Sequence, residues 1–342
     1  MPLFKLKVLA ACLFGLGLSS IAAQAEELNL LCSPDVKWCE LMVQKFEEKT
    51  GIKVNAVRLS AGEAYARIRA EARNPKSDVW WGGSGDTYVQ AAQEGLLAEY
   101  KSPQMADLHP WAQHQAEITN YRSVATESSA IGFAYNEKIL KEKGLQPPAC
   151  WADLAKPEYK GEVQVANPNS AGTAYFALAT IVQLMGEDPA FDYLKKLNAN
   201  VSAYPKSGSA PVKAAARGET GIAIAFSHDI LALIDEGFPL KSVSPCEGTA
   251  FQVAAVGIVK GARHMDAAKK WIEWALSPEA QSMAGQAKMY SMPSNTKATV
   301  PEAVKNMLIG KTFNYDGARF GAARMRSHLL KRWTDEIGAK AQ

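Results

Sequence analysis

The chain holds little of what most metal proteins and hydrolases need. Among its 342 residues are five histidines and five cysteines, and no two cysteines stand at CxxC spacing. No histidine sits near a cysteine at ligand spacing, so a Cys/His zinc site has no support. His109, His114, His228, His264 and His328 are scattered, and the step from His109 to His114 does not put both rings on one helix face. A GxSxG nucleophile elbow is missing, and Gly83-Ser84-Gly85 is only a glycine-rich turn. Ser227, His228 and Asp229 offer the residue types of a triad, but they are consecutive, and consecutive side chains diverge. Glu63, Glu94 and Glu127 show no spacing that marks an acid/base pair. A periplasmic hydrolase is therefore a rival reading, not the expected one. The net charge is only +3, which argues against a nucleic-acid-binding surface. Repeats and low-complexity segments are missing, and only the first 25 residues contain a long uncharged apolar run.

That run has the form of an export signal. Lys5 and Lys7 precede uncharged Val8–Ile21, and Ala23-Gln24-Ala25 offers small residues for cleavage before Glu26. A lipoprotein box at Leu9-Ala10-Ala11-Cys12 would leave almost no apolar stretch ahead of the cysteine. Cleavage after Ala25 predicts a periplasmic chain of about 317 residues, long enough for two lobes, with a charge near +1. It also removes Cys12. Four cysteines remain, an even number in an exported chain, which favours disulfides. Of the three connectivities, Cys32–Cys39 with Cys150–Cys246 is preferred, the first closing a short loop and the second a long one.

Strands and helices alternate along the chain, as in an α/β fold with a largely parallel sheet. Leu28–Cys32, Ile52–Leu59 and Asp78–Trp81 read as strands, with helices at Val36–Lys49, from Ser60 to Ala72, and at Tyr88–Glu94. A second α/β unit begins near Ser128, with strands at Ala130–Tyr135, Glu162–Ala166, Ile222–Phe226 and Phe251–Val259. Asn167–Tyr175 joins the Glu162 strand to an apolar helix through Ser170, Gly172 and Thr173. A helix start leaves N–H groups unpaired and carries partial positive charge, so this stretch is either an anion cradle or an ordinary N-cap at Ser170 or Thr173. Ser207-Gly208-Ser209 repeats the device before another helix. In open parallel sheets, ligands sit beyond the carboxyl ends of strands. Here those loops carry Ser33, Ser60, Gly82–Ser84, Ser170–Thr173, Ser207–Ser209 and Ser227–Asp229. The set describes a polar site for a hydroxyl-rich or anionic solute. Of Trp80 and Trp81, one is expected in the core and the other over the cleft.

The exported start, LNLLCSPDVKWCELMVQKFEEKTGIKV, SDVWWGGSGD, GFAYNEKIL, CWADLAKPEYKGEVQVANPNSAGTAY, KAAARGETGIAIAFSHD and YSMPSN together resemble an ABC-transporter periplasmic solute-binding protein. The resemblance covers nearly the whole mature chain and falls in the ferric-iron-binding-like branch, nearest its hexose-phosphate-binding members. It implies a type II periplasmic binding protein: two α/β lobes joined by a two-strand hinge and closing over a solute. It further implies no enzyme activity, no cofactor, a monomer, and delivery to an inner-membrane permease. The crossings should fall near Glu127–Ala130 and Gln252–Ala255. Lobe one would then be 26–127 with 254–300, and lobe two 128–253 with 301–342. Ferric-binding relatives place two adjacent tyrosines where this chain has Ser227-His228-Asp229, and no Tyr-Tyr pair occurs anywhere in it. The resemblance therefore favours a sugar phosphate or similar organophosphate, with ferric iron as the alternative and no metal ligands assigned. In this reading His228 and Asp229 bind sugar hydroxyls, and Gln252 stands where relatives carry an acidic residue. Ser170, Gly172 and Thr173 hold the phosphate, helped by Ser207 and Gly208, while Ser33, Ser60 and Gly83 come from lobe one.

Overall fold

The computed structural model describes residues 26–305 and 310–338, so the leader and its cleavage point lie outside the described residues. Apolar runs in the first half build three parallel strands, β1 (Glu27–Cys32), β2 (Lys53–Arg58) and β3 (Val79–Ser84), in the order β2-β1-β3. The helix Val36–Thr50 follows β1. Its start is capped by the Asp35 carboxylate, which accepts from Lys37 N at 3.1 Å. Gly51 ends it with φ 71°, a conformation that favours glycine. Trp38, Cys39, Met42 and Phe46 recur at helical spacing and form its buried face.

The remaining strands are β4 (Leu97–Ala98), β5 (Val124–Asn136), β6 (Val163–Gln164), β7 (Val201–Ala203), β8 (Ile222–Phe226), β9 (Leu240–Val243), β10 (Phe251–Val259) and β11 (Met292–Pro293). Two of them are long and serve two places. β5 pairs antiparallel with β10 through Val124–Ala130, then with β8 and β9 through Ile131–Asn136. β10 pairs with β5 through Phe251–Val256 and with β3 through Ala254–Ile258. On one side of this pair lies a core built around Leu28, Trp38, Phe46 and Trp271. On the other lies a core built around Phe133, Trp151, Phe176, Phe191 and Trp333. The molecule is thus two α/β lobes joined by two strands.

Several elements differ from their sequence patterns. The Glu162–Ala166 run pairs only at Val163–Gln164. The strand expected at Ala130–Tyr135 starts six residues earlier, at Val124. Thr126, Glu127, Ser128 and Ser129 hide that extension because this part of β5 crosses the polar gap between the lobes. Ser291–Asn295 contains β11, which pairs with β5 at Ser128 and Glu127. Trp80 and Trp81 are both buried, 0% and 2% exposed, so neither covers the cleft.

Both preferred disulfides are present. Cys32–Cys39 ties the end of β1 to the following helix, and Cys150–Cys246 spans 96 residues of the second lobe. The C-terminal helix Ala323–Glu336 packs Leu329 and Trp333 into the second core. The segment just before it crosses to the first lobe. There Tyr315 donates to Asp86 at 2.8 Å, and Ala323 N donates to Gln93 Oε1 at 2.9 Å.

Candidate functional site

Between the lobes lies a cavity partly open to solvent, with about 700 Å³ of empty space when its open mouth is included. Five helices of nine or more residues start at its wall: Val36–Thr50, Ala61–Ala70, Gly85–Gln93, Gly172–Met185 and Ser227–Asp235. Each start contributes partial positive charge and N–H groups. The arrangement follows from the topology, since each of these helices follows a strand or loop that ends at the cleft.

The start of Gly172–Met185 decides between cap and cradle. Its N-cap position is Ala171, which has no side chain able to cap. Ser170 turns away, its hydroxyl donating to Asn167 O at 3.2 Å and to Lys206 O at 3.0 Å. Thr173 sits inside the first turn. The helix therefore meets the cavity uncapped, with Ala171, Gly172 and Thr173 in the wall. Gly172 is required for the approach: a Cβ there would fall 2.6 Å from Ser84 Cβ of the other lobe. At the end of β3, Gly83 has φ +83° and would place a Cβ 2.9 Å from Ala61 Cβ.

Of the residues expected from sequence, Ser33, Ser60, Gly83, Gly172, Thr173, Gly208, His228, Asp229 and Gln252 line this one cavity. Ser170 and Ser207 do not. Ser170 spends its hydroxyl on backbone carbonyls, and Ser209 lines the wall beside Gly208 in place of Ser207. Sequence reasoning missed Asp35, Arg58, Glu127 and Ser129, and it named Ser84 only as part of the Gly82–Ser84 strand-end loop. Ser33 Oγ accepts from Trp80 Nε1 at 2.9 Å, which fixes the hydroxyl at the wall.

Ser227-His228-Asp229 opens a helix rather than ending a strand loop. Ser227 Oγ pairs with Ser129 Oγ at 2.9 Å, and among the described residues no hydrogen bond joins it to His228. A triad is therefore not assembled. Ser129 Oγ also accepts the His228 N–H at 3.3 Å. His228 Nε2 lies 3.7 Å from Asp229 Oδ2, and His228 Nδ1 is left without a partner. Burial pushes the Asp229 carboxyl up, although the His228, Lys213 and Arg58 charges pull it down. Burial also raises Glu127, with His228 and the Ser291 hydroxyl opposing and the Asp229 charge adding. Ser291 Oγ donates to Glu127 Oε2 at 2.6 Å. This part of the cavity is thus rich in acceptors, while Arg58 supplies a cation in the wall.

Metal ligation has no such support. No tyrosine lines the cavity among the described residues. The one grouping there of three His, Cys, Asp or Glu ligand atoms within 4.8 Å is Cys150, Cys246 and Glu247, whose sulfurs are joined in a disulfide.

Ion pairs join the two lobes. Lys213 pairs with Asp35 at 2.8 Å, Lys37 with Glu236 at 2.9 Å and Lys288 with Asp235 at 2.8 Å. Burial raises Asp35, but Lys213 outweighs it and holds the carboxyl below its ordinary range. Gly62 N donates to Ser170 O at 3.0 Å across the gap.

Residues 74–321 match the model of the bacterial extracellular solute-binding protein family. The chain belongs to that family. Three solved structures are similar to it. The periplasmic binding protein AfuA from Actinobacillus pleuropneumoniae, with exogenous fructose-6-phosphate bound, is 40% identical with a TM-score of 0.88, covering 92% of this chain and 99% of that one. The periplasmic binding protein P5PA is 31% identical with a TM-score of 0.87, covering 91% and 99%. The ferric binding protein from Campylobacter jejuni is 25% identical with a TM-score of 0.74, also covering 91% and 99%. These neighbours are binding proteins, and the two-lobed solute-binding fold of ABC importers is theirs and this chain's. No helix among the described residues is long and apolar enough to cross a membrane.

Proposed function

We propose that this solute-binding protein takes a phosphorylated sugar, or a similar organophosphate, in the interlobe cavity. The observation that carries the proposal is one cavity lined by two unlike sets of groups: the uncapped start of Gly172–Met185, and the side chains of His228, Asp229 and Glu127. The first set donates backbone N–H groups to an anion, with Thr173 and Ser209 hydroxyls beside them. The second accepts hydroxyl protons, Asp229 taking up to two, with His228 beside it in the wall. Gln252 keeps the acceptor of an acidic residue without its charge. Ser33, Ser60, Gly83 and Gly208 shape the walls. The fructose-6-phosphate of the AfuA structure is a solute of this two-part kind.

The reading assigns residues 1–25 to a cleaved leader and places the mature, monomeric protein in the periplasm. It divides the closing units as 26–127 with 254–300, and 128–253 with 301–342. Its partner is the permease of an ABC importer, and it has no catalytic step. Ferric iron, the cargo of a relative, lacks its phenolate donors here. Calorimetry of the mature protein against fructose 6-phosphate, glucose 6-phosphate, glucose, phosphate and ferric citrate tests the proposal. Binding of the phosphate esters is expected. Micromolar iron binding with a visible charge-transfer band and no ester binding would overturn it, and turnover of an ester would favour the hydrolase.

A further inference from the structure

Behind the cavity wall lies a buried polar chain that the roles above leave unused. Asp86, in the first turn of Gly85–Gln93, is 3% exposed and accepts from Tyr315 OH at 2.8 Å. Hydrogen bonds from Gln252 and Ser84 also bear on its carboxylate. Gln252 Nε2 donates to Ser84 Oγ, and both residues line the cavity. Ser84 is the N-cap residue of its helix, yet its hydroxyl makes no capping bond. It is diverted from its ordinary use into this chain. Arg326, 2% exposed, lies over the Tyr175 ring at 3.9 Å and faces Asp86 as a counter-charge.

The chemistry gives the chain a direction. An ionised carboxylate only accepts, so Ser84 gives Asp86 its single proton. The Ser84 lone pairs are then the acceptors, and Gln252 must present its NH₂ to them. The Gln252 carbonyl is the amide's other face. We infer that Asp86 is a positioning residue for solute choice: directly and through Ser84 it holds the Gln252 NH₂, which leaves the amide carbonyl for the solute, so that this wall selects a hydroxyl donor. The inference rests on the reading of the cavity as the solute site. The charged and titratable groups facing Asp86 are Tyr315 and Arg326 from the C-terminal segment and Tyr175 from Gly172–Met185. Burial lifts the Asp86 carboxyl to about 6, against the pull of Tyr315 and Arg326. It is therefore ionised at neutral pH, and protonation below that value lets it donate and dissolves the direction.

The test has a solute-free arm and a solute arm. In the unliganded protein, the Gln252 side-chain amide resonance, identified by its loss in Gln252→Glu, is followed by NMR from pH 5 to 7.5. It should titrate in the wild type and not in Asp86→Asn. A resonance that ignores pH, or titrates alike in both proteins, overturns the inference. In the second arm, calorimetry with fructose 6-phosphate compares Asp86→Asn, Gln252→Ala and the double variant. Asp86→Asn should weaken binding about tenfold, the loss of one oriented hydrogen bond. In the Gln252→Ala background it should cost nothing further. Additive losses would make Asp86 a merely structural residue. If the wild type binds no sugar phosphate, the proposed solute is wrong, while the NMR arm still decides whether Asp86 holds Gln252.

Discussion

Asp229→Ala separates a solute-binding carboxylate from a structural one. In the first turn of Ser227–Asp235 its side chain is 16% exposed and shares the wall with His228 and Glu127. As the acceptor of two solute hydroxyls, it would make two charge-assisted hydrogen bonds at about 1.5–3 kcal/mol each. Truncation should therefore weaken fructose 6-phosphate by roughly two to four orders of magnitude. The fold gains little from the same group. Burial raises its pKa, so the folded state disfavours the charge despite His228, Lys213 and Arg58. Its position near a helix start returns at most about 1 kcal/mol. The thermal midpoint should thus stay within about 2 °C of the wild type. Calorimetry gives the affinity and differential scanning calorimetry the midpoint, both on the mature chain. An affinity within about threefold of the wild type would remove Asp229 from the site. A midpoint lowered by more than about 5 °C would make it structural.

Gly62→Ala should prevent closure without disturbing either lobe. Its Cβ would fall 2.7 Å from the backbone oxygens of Asn169 and Ser170. A strain of about 1–3 kcal/mol on the closed state alone predicts roughly 5- to 150-fold weaker binding with an unchanged midpoint, and X-ray scattering of the liganded variant should show a larger radius of gyration. Removing Cys150–Cys246, with a sequence separation of 96, should cost about 4–5 kcal/mol in denaturant unfolding, against about 2.5 for Cys32–Cys39 with a separation of 7. Three buried carboxyls should each contribute a loss of stability as pH rises from about 4 to 6, opposite in sign to carboxyls held low such as Asp35 and Asp78. Asp86, Glu127 and Asp229 all have carboxyls raised by burial, so the native state holds protons that the unfolded chain has released. Asp86, raised from 3.8 to about 6, accounts for up to about 3 kcal/mol, and Asp86→Asn should flatten that part of the profile in denaturant titrations.

What could be read in advance follows a physical divide. Elements with one apolar face, such as β1, β3 and Val36–Thr50, announce themselves by burial pattern and caps. The first half of β5 does not, because a strand that crosses a wet cleft is polar where a core strand is apolar. The same cause hid part of the site. Glu127 and Ser129 fell at the crossing expected near Glu127–Ala130 but were given no part in the site, although Thr126-Glu127-Ser128-Ser129 beside an apolar strand was itself the signal. Arg58, at the end of β2, reads as an ordinary edge charge, and only the fold turns it into the cavity. Asp35 reads as an N-cap and is one, while also pairing with Lys213 of the other lobe. Small residues at strand ends were informative because close approach of two backbones demands them, as Gly172 against Ser84 illustrates. Composition alone could not separate Ser170 and Ser207 from their neighbours, since a hydroxyl facing the solute and one bound to a backbone carbonyl have the same sequence.

On the proposed reading, neither half of the solute would suffice. Inorganic phosphate at the Gly172–Met185 start satisfies the uncapped N–H groups but leaves Asp229 and Glu127 facing an anion in a closed space. A neutral sugar satisfies the carboxylates but leaves the helix start unpaired and cut off from water. Each unsatisfied buried group costs about 1–3 kcal/mol. A ligand that pairs only one set therefore forfeits roughly one to two orders of magnitude per group left over. Closure would sharpen the penalty by displacing water from both sets of groups, and the Lys213–Asp35 and Lys37–Glu236 pairs join the two lobes in this structure. A solute with an anion at one end and hydroxyl donors at the other leaves every inner group satisfied. On the proposed reading, specificity comes from satisfying both sets of groups at once more than from the strength of either.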